Sequence, residues 1–445
     1  MSRFFATAIA VAMVPVAGAG AQISAPATPP IGSPILIPRA GPPAPPSLSN
    51  YPVLAPRSGP LPSSLTLVQA LEEAEARSPA VLAARARVEA ASARIRQAGL
   101  RTNPELSIEV ENFLGTGDLK GFRATETTVA VNQRLDLGGR RQARVSTAQV
   151  ELAAERIRLD IARADLARSV REQFARAVVA RDRLSLAEDS EERARELARI
   201  AQLLVDNGRE PPLRALRARS AATQAAAELE AARADERASR ATLVSLFGMT
   251  EAVPSVSGKL IDLEPRLVNP AISLEVRLAE AERLIAEAEL RQEQAASRLD
   301  PAVGLGVRHV REAGAVALVG GMSLPLPVFD RNRGNIEAAR AGIRAAEANL
   351  ANVRASVQVR AANAATSVQS ATARVEALER SAIPEANETL RLSRLAYIEG
   401  RASLVELLDA QTAYRQAQSA LIDARLAQAL ATAELGRVAA QQDSQ

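Results

Sequence analysis

Between Gly139 and Gly208 the chain contains neither glycine nor proline. At 1.5 Å per residue an uninterrupted helix over that stretch is about 100 Å long. No globular core is that wide, so the chain must fold around long helices rather than bury them inside a compact body. Composition agrees: aromatics are 2%, Trp and Cys are absent, and the apolar 47% is carried largely by Ala, Leu and Val. Ala-rich sequence interleaved with Glu and Arg suits long helices that approach each other closely.

The long helix ends at Gly208 and a second amphipathic segment follows it. Glycine supplies the left-handed backbone that stops a helix, and Pro211-Pro212 suits the first turn of the next one. The same arrangement returns in YIEGRASLVELLDAQTAYR, where Gly400 interrupts an otherwise helical pattern. Each is expected to be the turn of a helical hairpin. Three further landmarks repeat in the same order: Ser78-Pro79 with Asn269-Pro270, Asn103-Pro104 with Asp300-Pro301, and Gly139-Arg140 with Asn332-Arg333. All four pairs share a separation of about 190 residues, which reads as a tandem duplication. The expected division is a signal peptide over 1–21, a proline-rich extended segment over 22–63, a first repeat over 64–253, a linker over 254–270, a second repeat over 271–438 and a tail over 439–445.

Each repeat has the same internal order. A helix comes first, from Leu65 to about Gly99 in one copy and from about Ala271 to Leu299 in the other. Two strand-like runs follow. ELSIEVE, Glu105 to Glu111, alternates strictly, with Leu106, Ile108 and Val110 on one face and Glu105, Ser107, Glu109 and Glu111 on the other. TTVAVNQRL returns from Thr127 after the loop LGTGDLKGF, and the second copy has AVGLGVRHV from Ala302 and AVALVGGMSL from Ala315. The second long helix runs from Arg333 toward Glu399 with a kink or break expected at Pro384. Its apolar positions Ile343, Leu350, Val357, Ala364, Ala371 and Leu378 fall in a heptad stripe. A parallel stripe, Ala346, Val353, Ala361, Val368, Val375 and Ala382, slips once, as expected of helices packed side by side along a tube.

Several functional classes are disfavoured. The formal net charge is +4, but the arginines sit beside acids at helical spacing, as in Glu191 with Arg195 and Glu376 with Arg380. There is no basic run or aromatic platform for nucleic acid. For an enzyme there is one histidine, His309, and no P-loop, serine elbow or metal-ligand spacing, so neither catalysis nor a bound cofactor is expected. The N-terminus MSRFFATAIAVAMVPVAGAGAQ reads as a secretory signal peptide cut after Ala21. No later stretch approaches about 18 uncharged apolar residues. The absence of Cys excludes disulfides and a lipid-modified cysteine.

ELSIEVE inverts the logic of a soluble strand: apolar outward and acid inward is what a membrane barrel with a watery lumen requires. Four strands per chain do not close a barrel, and three chains would give twelve. On that reading Glu105, Glu109 and Glu111 line the lumen.

The duplication, the junctions RLDLGGRRQAR and LPLPVFDRNRGNIEAAR, and the hairpin turn YIEGRASLVELLDAQ resemble the TolC-type outer-membrane efflux proteins. The resemblance covers about Ser64 to Val438, and NPELSIEVENFLGTG is most similar to the branch serving heavy-metal cation exporters, the CzcC-like proteins. It implies a mainly α fold with a small β part, in which trimers share a 12-stranded barrel in the outer membrane and an α-helical tunnel across the periplasm. It also implies partners, a periplasmic adaptor and an inner-membrane RND-type pump, and heavy-metal cations as cargo. Drug efflux, type I protein secretion, or a periplasmic coiled-coil adaptor or scaffold are the alternatives. Gly208 and Gly400 would then mark the periplasmic tip, and in the family acids at the positions of Glu406 and Asp409 line its constriction. Aligning the two hairpins sets Arg214 against Glu406 and Arg217 against Asp409. Arg-to-carboxylate pairs, within a protomer or between neighbours, are the expected closure of the gate.

Overall fold

The computed structural model of the chain describes residues 57, 59–119, 121–249, 254–258 and 269–440. The expected signal peptide, most of the proline-rich segment and of the inter-repeat linker, and residues 441–445 of the tail lie outside them.

The described chain opens with a two-residue strand, β1 (Ser64–Leu65), and the helices α1 (Leu67–Arg77) and α2 (Pro79–Ala98). The single helix expected from Leu65 to Gly99 is therefore two helices and part of a strand. Pro79 is the cause: it drives the residue before it out of the helical region, and Ser78 sits at ψ 122°, ending α1 and starting α2. Strands β2 (Glu105–Glu111) and β3 (Glu126–Arg134) follow, then the 67-residue α3 (Arg140–Asp206) and the returning α4 (Pro212–Ser245). A short β4 (Ser255–Val256) pairs in parallel with β1. The second repeat runs through α5 (Leu274–Ala296), β5 (Ala302–Val310), β6 (Ala315–Ser323), α6 (Arg333–Ala377), α7 (Ile383–Ile398) and α8 (Leu404–Val438).

Both hairpin turns are closed in the same way. Gly208 has φ 68° and Gly400 φ 75°. Arg209 N–H donates to Leu204 C=O and Gly208 N–H to Val205 C=O, while Arg401 N–H donates to Ala396 C=O and Gly400 N–H to Tyr397 C=O. These nested bonds satisfy the last carbonyls of α3 and α7. An added Cβ would meet nothing within 4 Å at either glycine, so alanine there costs only the left-handed backbone, about 1–2 kcal/mol. Gly208→Ala and Gly400→Ala are each expected to lower the melting temperature of the tip helices. Faster amide exchange confined to residues flanking the turn would register it.

Between α6 and α7 the helix passes through a π-helical turn, Leu378–Ala382, immediately before Pro384. Proline has no N–H to return to Arg380 and its ring crowds that carbonyl, so the wider turn accommodates it. The expected break is thus a π-bulge, whereas α3 has no counterpart.

The four long strands form one antiparallel sheet in the order β2-β3-β5-β6, so β3 and β5 join the two repeats and β2 and β6 are its edges. The helices pack along one another with small cores. One cluster joins α1, α3 and the end of α4 through Ala70, Ala74, Val170, Phe174, Val178, Leu243 and Phe247, with Leu65 and Val256 of the small strands. The α6 stripe is turned inward as its periodicity requires: Leu350, Val357 and Ala361 pack on Val276 and Ala279 of α5. Arg437 of α8, only 6% exposed, pairs with Asp165 of α3 and lies 2.8 Å from Glu275 of α5. Glu275 also accepts from Arg360 of α6 at 3.3 Å. Four helices of two repeats are tied by this network, which is buried at Arg437 and open to solvent at Asp165 and Arg360.

Candidate functional site

The sheet has two unlike faces because its register keeps side-chain phase across all four strands. Leu106 is paired with Val131, Val131 with Leu305, Ile108 with Val129 and Val129 with Val307, and Leu318 stands beside Val307. This face is apolar and open: Leu106 is 67% exposed, Leu305 69% and Leu318 81%. His309, opposite Thr127 and Val316, belongs to it too.

The other face carries Glu105, Ser107, Glu109 and Glu111 from β2, as the alternation of ELSIEVE predicts, with Glu126, Thr128 and Asn132 from β3 and Arg308 from β5. Asn132 donates to Ser107 Oγ at 3.0 Å. Arg308 donates to Thr128 Oγ1 at 3.0 Å and lies 3.1 Å from Glu126 and 3.4 Å from Glu111. Glu105 and Glu109 are exposed and take part in no ion pair with the described residues. The face is drawn in closely at β5. A Cβ at Gly306 would stand 2.5 Å from Ala130 Cβ and 2.6 Å from Val129 C=O, and at Gly304 2.1 Å from Asn132 Oδ1. At Gly306, where the obstacle is the β3 backbone, only glycine allows so tight an approach, whereas at Gly304 the Asn132 amide would have to swing aside.

At the loop end of the sheet, the β2–β3 connection contains a short 3-10 turn, Gly117–Leu119, and exposes Leu114 and Phe122. The β5–β6 turn closes through Gly314 at φ 59°. Both connections lie at the end of the sheet opposite the long helices, since α2 and α5 enter it, and α3 and α6 leave it, at the other.

The second candidate region is the far end of the hairpins. Here Leu197 and Ala201 of α3, Ala218 of α4, Leu390 and Tyr397 of α7, and Leu404, Leu407 and Ala410 of α8 form one core. The two hairpins are therefore packed on each other at their tips. The Arg193 guanidinium stacks 5.1 Å above the Tyr414 ring.

The tip charges are arranged differently from the pairing suggested by alignment. Arg214, in the first turn of α4, pairs with Glu210 of the tip loop just before that helix. Glu406 forms a capping box: it accepts from Ser403 N–H at 2.7 Å, and its own N–H donates to Ser403 Oγ at 3.3 Å. The chain thus does not bring Arg214 to Glu406. Arg217 and Asp409 are exposed and make no hydrogen bond or ion pair with described residues. Tyr397, which opens the YIEGRASLVELLDAQTAYR stretch but is not marked out by its spacing, lies between the hairpins with its hydroxyl buried and without a partner among the described residues. Burial pushes that hydroxyl's pKa up, the Glu210 carboxylate adds to the rise and Arg214 opposes it. Spacing alone held a signal for one of these contacts, Ser403-x-x-Glu406 before an apolar helix; Glu210 lies in the loop before α4, outside the helical i, i+4 rule.

Among the described residues no helix is long and apolar enough to cross a membrane. A family model described as "Outer membrane efflux protein" matches residues 70–249 and 269–441. The nickel-cobalt-cadmium resistance protein NccC of Alcaligenes xylosoxydans xylosoxydans is 33% identical over 290 residues, 64% of this chain and 66% of that protein. The cobalt-zinc-cadmium resistance protein CzcC of Cupriavidus metallidurans is 30% identical over 365 residues, 80% of this chain and 85% of that protein. Among solved structures, the outer membrane protein VceC of Vibrio cholerae superposes with a TM-score of 0.71 at 22% identity, covering 84% of this chain and 96% of that one.

Proposed function

Because the chain belongs to the outer membrane efflux protein family, we propose that three copies close a twelve-stranded barrel in the outer membrane and continue it into an α-helical tunnel across the periplasm. The observation that carries this reading is the four-stranded sheet with two open edges and one exposed apolar face. An open sheet edge is not tolerated in hydrocarbon, where each unpaired backbone group costs several kcal/mol. Closure with further copies removes both edges, sets the apolar face against lipid and turns the glutamate-bearing face into a lumen. The division at 1–21, 22–63, 64–253, 254–270, 271–438 and 439–445 is retained as the organisation of the chain.

The cargo of this channel is heavy-metal cations, supplied by an inner-membrane RND-type pump through a periplasmic adaptor that engages the hairpin tips. Support comes from the names of the relatives, which are resistance proteins for nickel, cobalt, cadmium and zinc. The unpaired Glu105 and Glu109 on the polar face suit a lumen that passes cations. Deleting the gene should sensitise cells to one or more of these metals. Sensitisation to detergents and drugs alone would favour the drug-efflux alternative.

Topology is tested at the loop joining β2 and β3. Asp118→Cys is expected to react with a membrane-impermeant thiol reagent on intact cells, with no background because the chain has no cysteine. A cysteine at Glu399, beside the tip turn, is expected to react only after the outer membrane is permeabilised. The reverse pattern would overturn the orientation. The mass of detergent-solubilised protein is expected to be that of three chains, and a stable monomer would overturn the barrel.

A further inference from the structure

The two strand hairpins open on equivalent pairs, Glu105 with Asn132 and Ala302 with Ser323. Strand β2 therefore corresponds to β5, and β3 to β6, residue by residue. Within the chain the repeats meet where Asn132 pairs with Gly304, Val131 with Leu305 and Ala130 with Gly306. Carrying these pairs to the open edges sets Ser323 against Ser107, Met322 against Ile108 and Gly321 against Glu109 of a second copy. Phase is preserved: Met322 and Ile108 both lie on the apolar face, Gly321 and Glu109 both on the polar one. A one-residue slip would reverse every side chain.

The junction below the sheet repeats in the same way. Helices α3 and α6 both start from a left-handed residue, Gly139 at φ 76° and Asn332 at φ 58°, each followed by arginine. Arg140 crosses the repeat boundary. It donates to the carbonyls of Ala296 at 2.6 Å and Arg298 at 2.7 Å and lies 3.0 Å from Asp300, which is 6% exposed. Carbonyls at a helix C-terminus lack intrahelical donors and carry the negative end of the dipole, so a guanidinium is well placed there. Aligned on Asn103-Pro104 and Asp300-Pro301, Gly99 and Arg101 beyond the end of α2 take the places of Ala296 and Arg298, and Asn103 that of Asp300; the Gly99 C=O accepts from Arg141 at 3.3 Å and keeps a second lone pair. Arg333, the counterpart of Arg140, is exposed and makes no hydrogen bond or ion pair with the described residues, and Asn103 is exposed as well.

We infer that the seam between subunits copies the seam between repeats: Arg333 docks on the C-terminal carbonyls of α2 at Gly99 and Arg101 in the next protomer, beside Asn103, while β6 pairs with β2 in the register Gly321 to Glu109. The inference rests on the trimeric reading above and specifies where its subunits meet. With Asn103 where the inner seam has a buried aspartate, the outer seam has one ionic contact fewer and is the weaker of the two.

The chain lacks cysteine, and a Cβ at Gly321 would meet nothing within 4 Å. Gly321→Cys combined with Glu109→Cys, oxidised in outer membranes, is expected to give covalent dimers and trimers on denaturing gels. Gly321→Cys with Glu105→Cys, displaced along β2 by roughly 13 Å, is expected to give none. Cross-linking of the displaced pair instead, or of neither pair in a sample whose mass is that of three chains, overturns the register and leaves the trimer standing. A wild-type mass of one chain overturns the trimer itself. Arg333→Ala is expected to speed subunit exchange between differently tagged trimers by about tenfold. Arg333→Lys is expected to restore part of the loss, since it keeps the charge but not the planar fork. Exchange unchanged in Arg333→Ala overturns the docking contact.

Discussion

Leu305→Arg combined with Leu318→Arg is expected to remove the protein from the outer membrane. Both leucines lie on the apolar face of the sheet, in adjacent strands, and neither contributes to a core. For a soluble sheet the exchange would be harmless or helpful, because two exposed leucines would become two solvated charges. In a barrel wall an arginine near the bilayer midplane costs about 2–4 kcal/mol, and the cost recurs in every protomer. The counterpart is Glu109→Arg, on the opposite face of the edge strand β2. It is expected to leave assembly intact and to shift single-channel selectivity from cations toward anions. Outer-membrane fractionation and trimer bands read the first result, and reversal potentials in planar bilayers read the second. Normal insertion of the double leucine variant would mean that the apolar face meets protein rather than lipid.

The second large effect is expected at the tip. Glu406→Gln with Asp409→Asn should leave trimers intact, raise single-channel conductance and increase leak of antibiotics into cells. The hypothesis is that these carboxylates meet arginines across the boundary between neighbouring protomers, since within the chain Arg214 is taken by Glu210 while Arg217 and Asp409 remain exposed. A single exposed pair contributes about 0.2–1 kcal/mol. Several around a closed ring reach the few kcal/mol that hold a two-state equilibrium to one side. The choice of amides matters. Glutamine at an N3 position can still accept from the N-cap backbone as Glu406 does from Ser403, so the helix start survives while the charge is lost. Arg217→Glu is expected to raise conductance in the same direction. Conductance equal to wild type in the amide variant, with the trimer verified, would show that these charges do not hold the gate.

Why some elements were legible in the sequence and others were not follows from the range of the forces involved. The bounds of β2 are visible because one side of the strand differs from the other at every step, and ELSIEVE ends where that alternation ends. The length of α3 is visible because nothing in it can stop a helix. The break at Ser78 was hidden by Pro79, a residue as suited to opening a helix as to ending one. The pairing of Ser64–Leu65 with Ser255–Val256 is two residues long on each side and leaves no periodic trace. At the tip, alignment of the repeats identifies equivalent positions but not neighbours: Arg214 and Glu406 are equivalent, and for that reason stand on corresponding turns of separate hairpins. Tyr397 had no signal at all. Its burial depends on how the two hairpins lean together, and local sequence does not encode that angle.

In the three-chain tunnel proposed above, the π-helical turn before Pro384 introduces a mechanical asymmetry. The first repeat contributes a 67-residue helix without interruption, while the second contributes one of 45 residues, a loosened turn and another of 16. Wider turns have poorer hydrogen-bond geometry and proline removes one bond outright, so bending stiffness drops there and nowhere along α3. Around the circumference, rigid staves then alternate with jointed ones. A load applied at the tip of such a trimer is expected to flex the jointed set first, so that the cylinder deforms with threefold rather than sixfold symmetry, like a barrel in which every second plank is hinged.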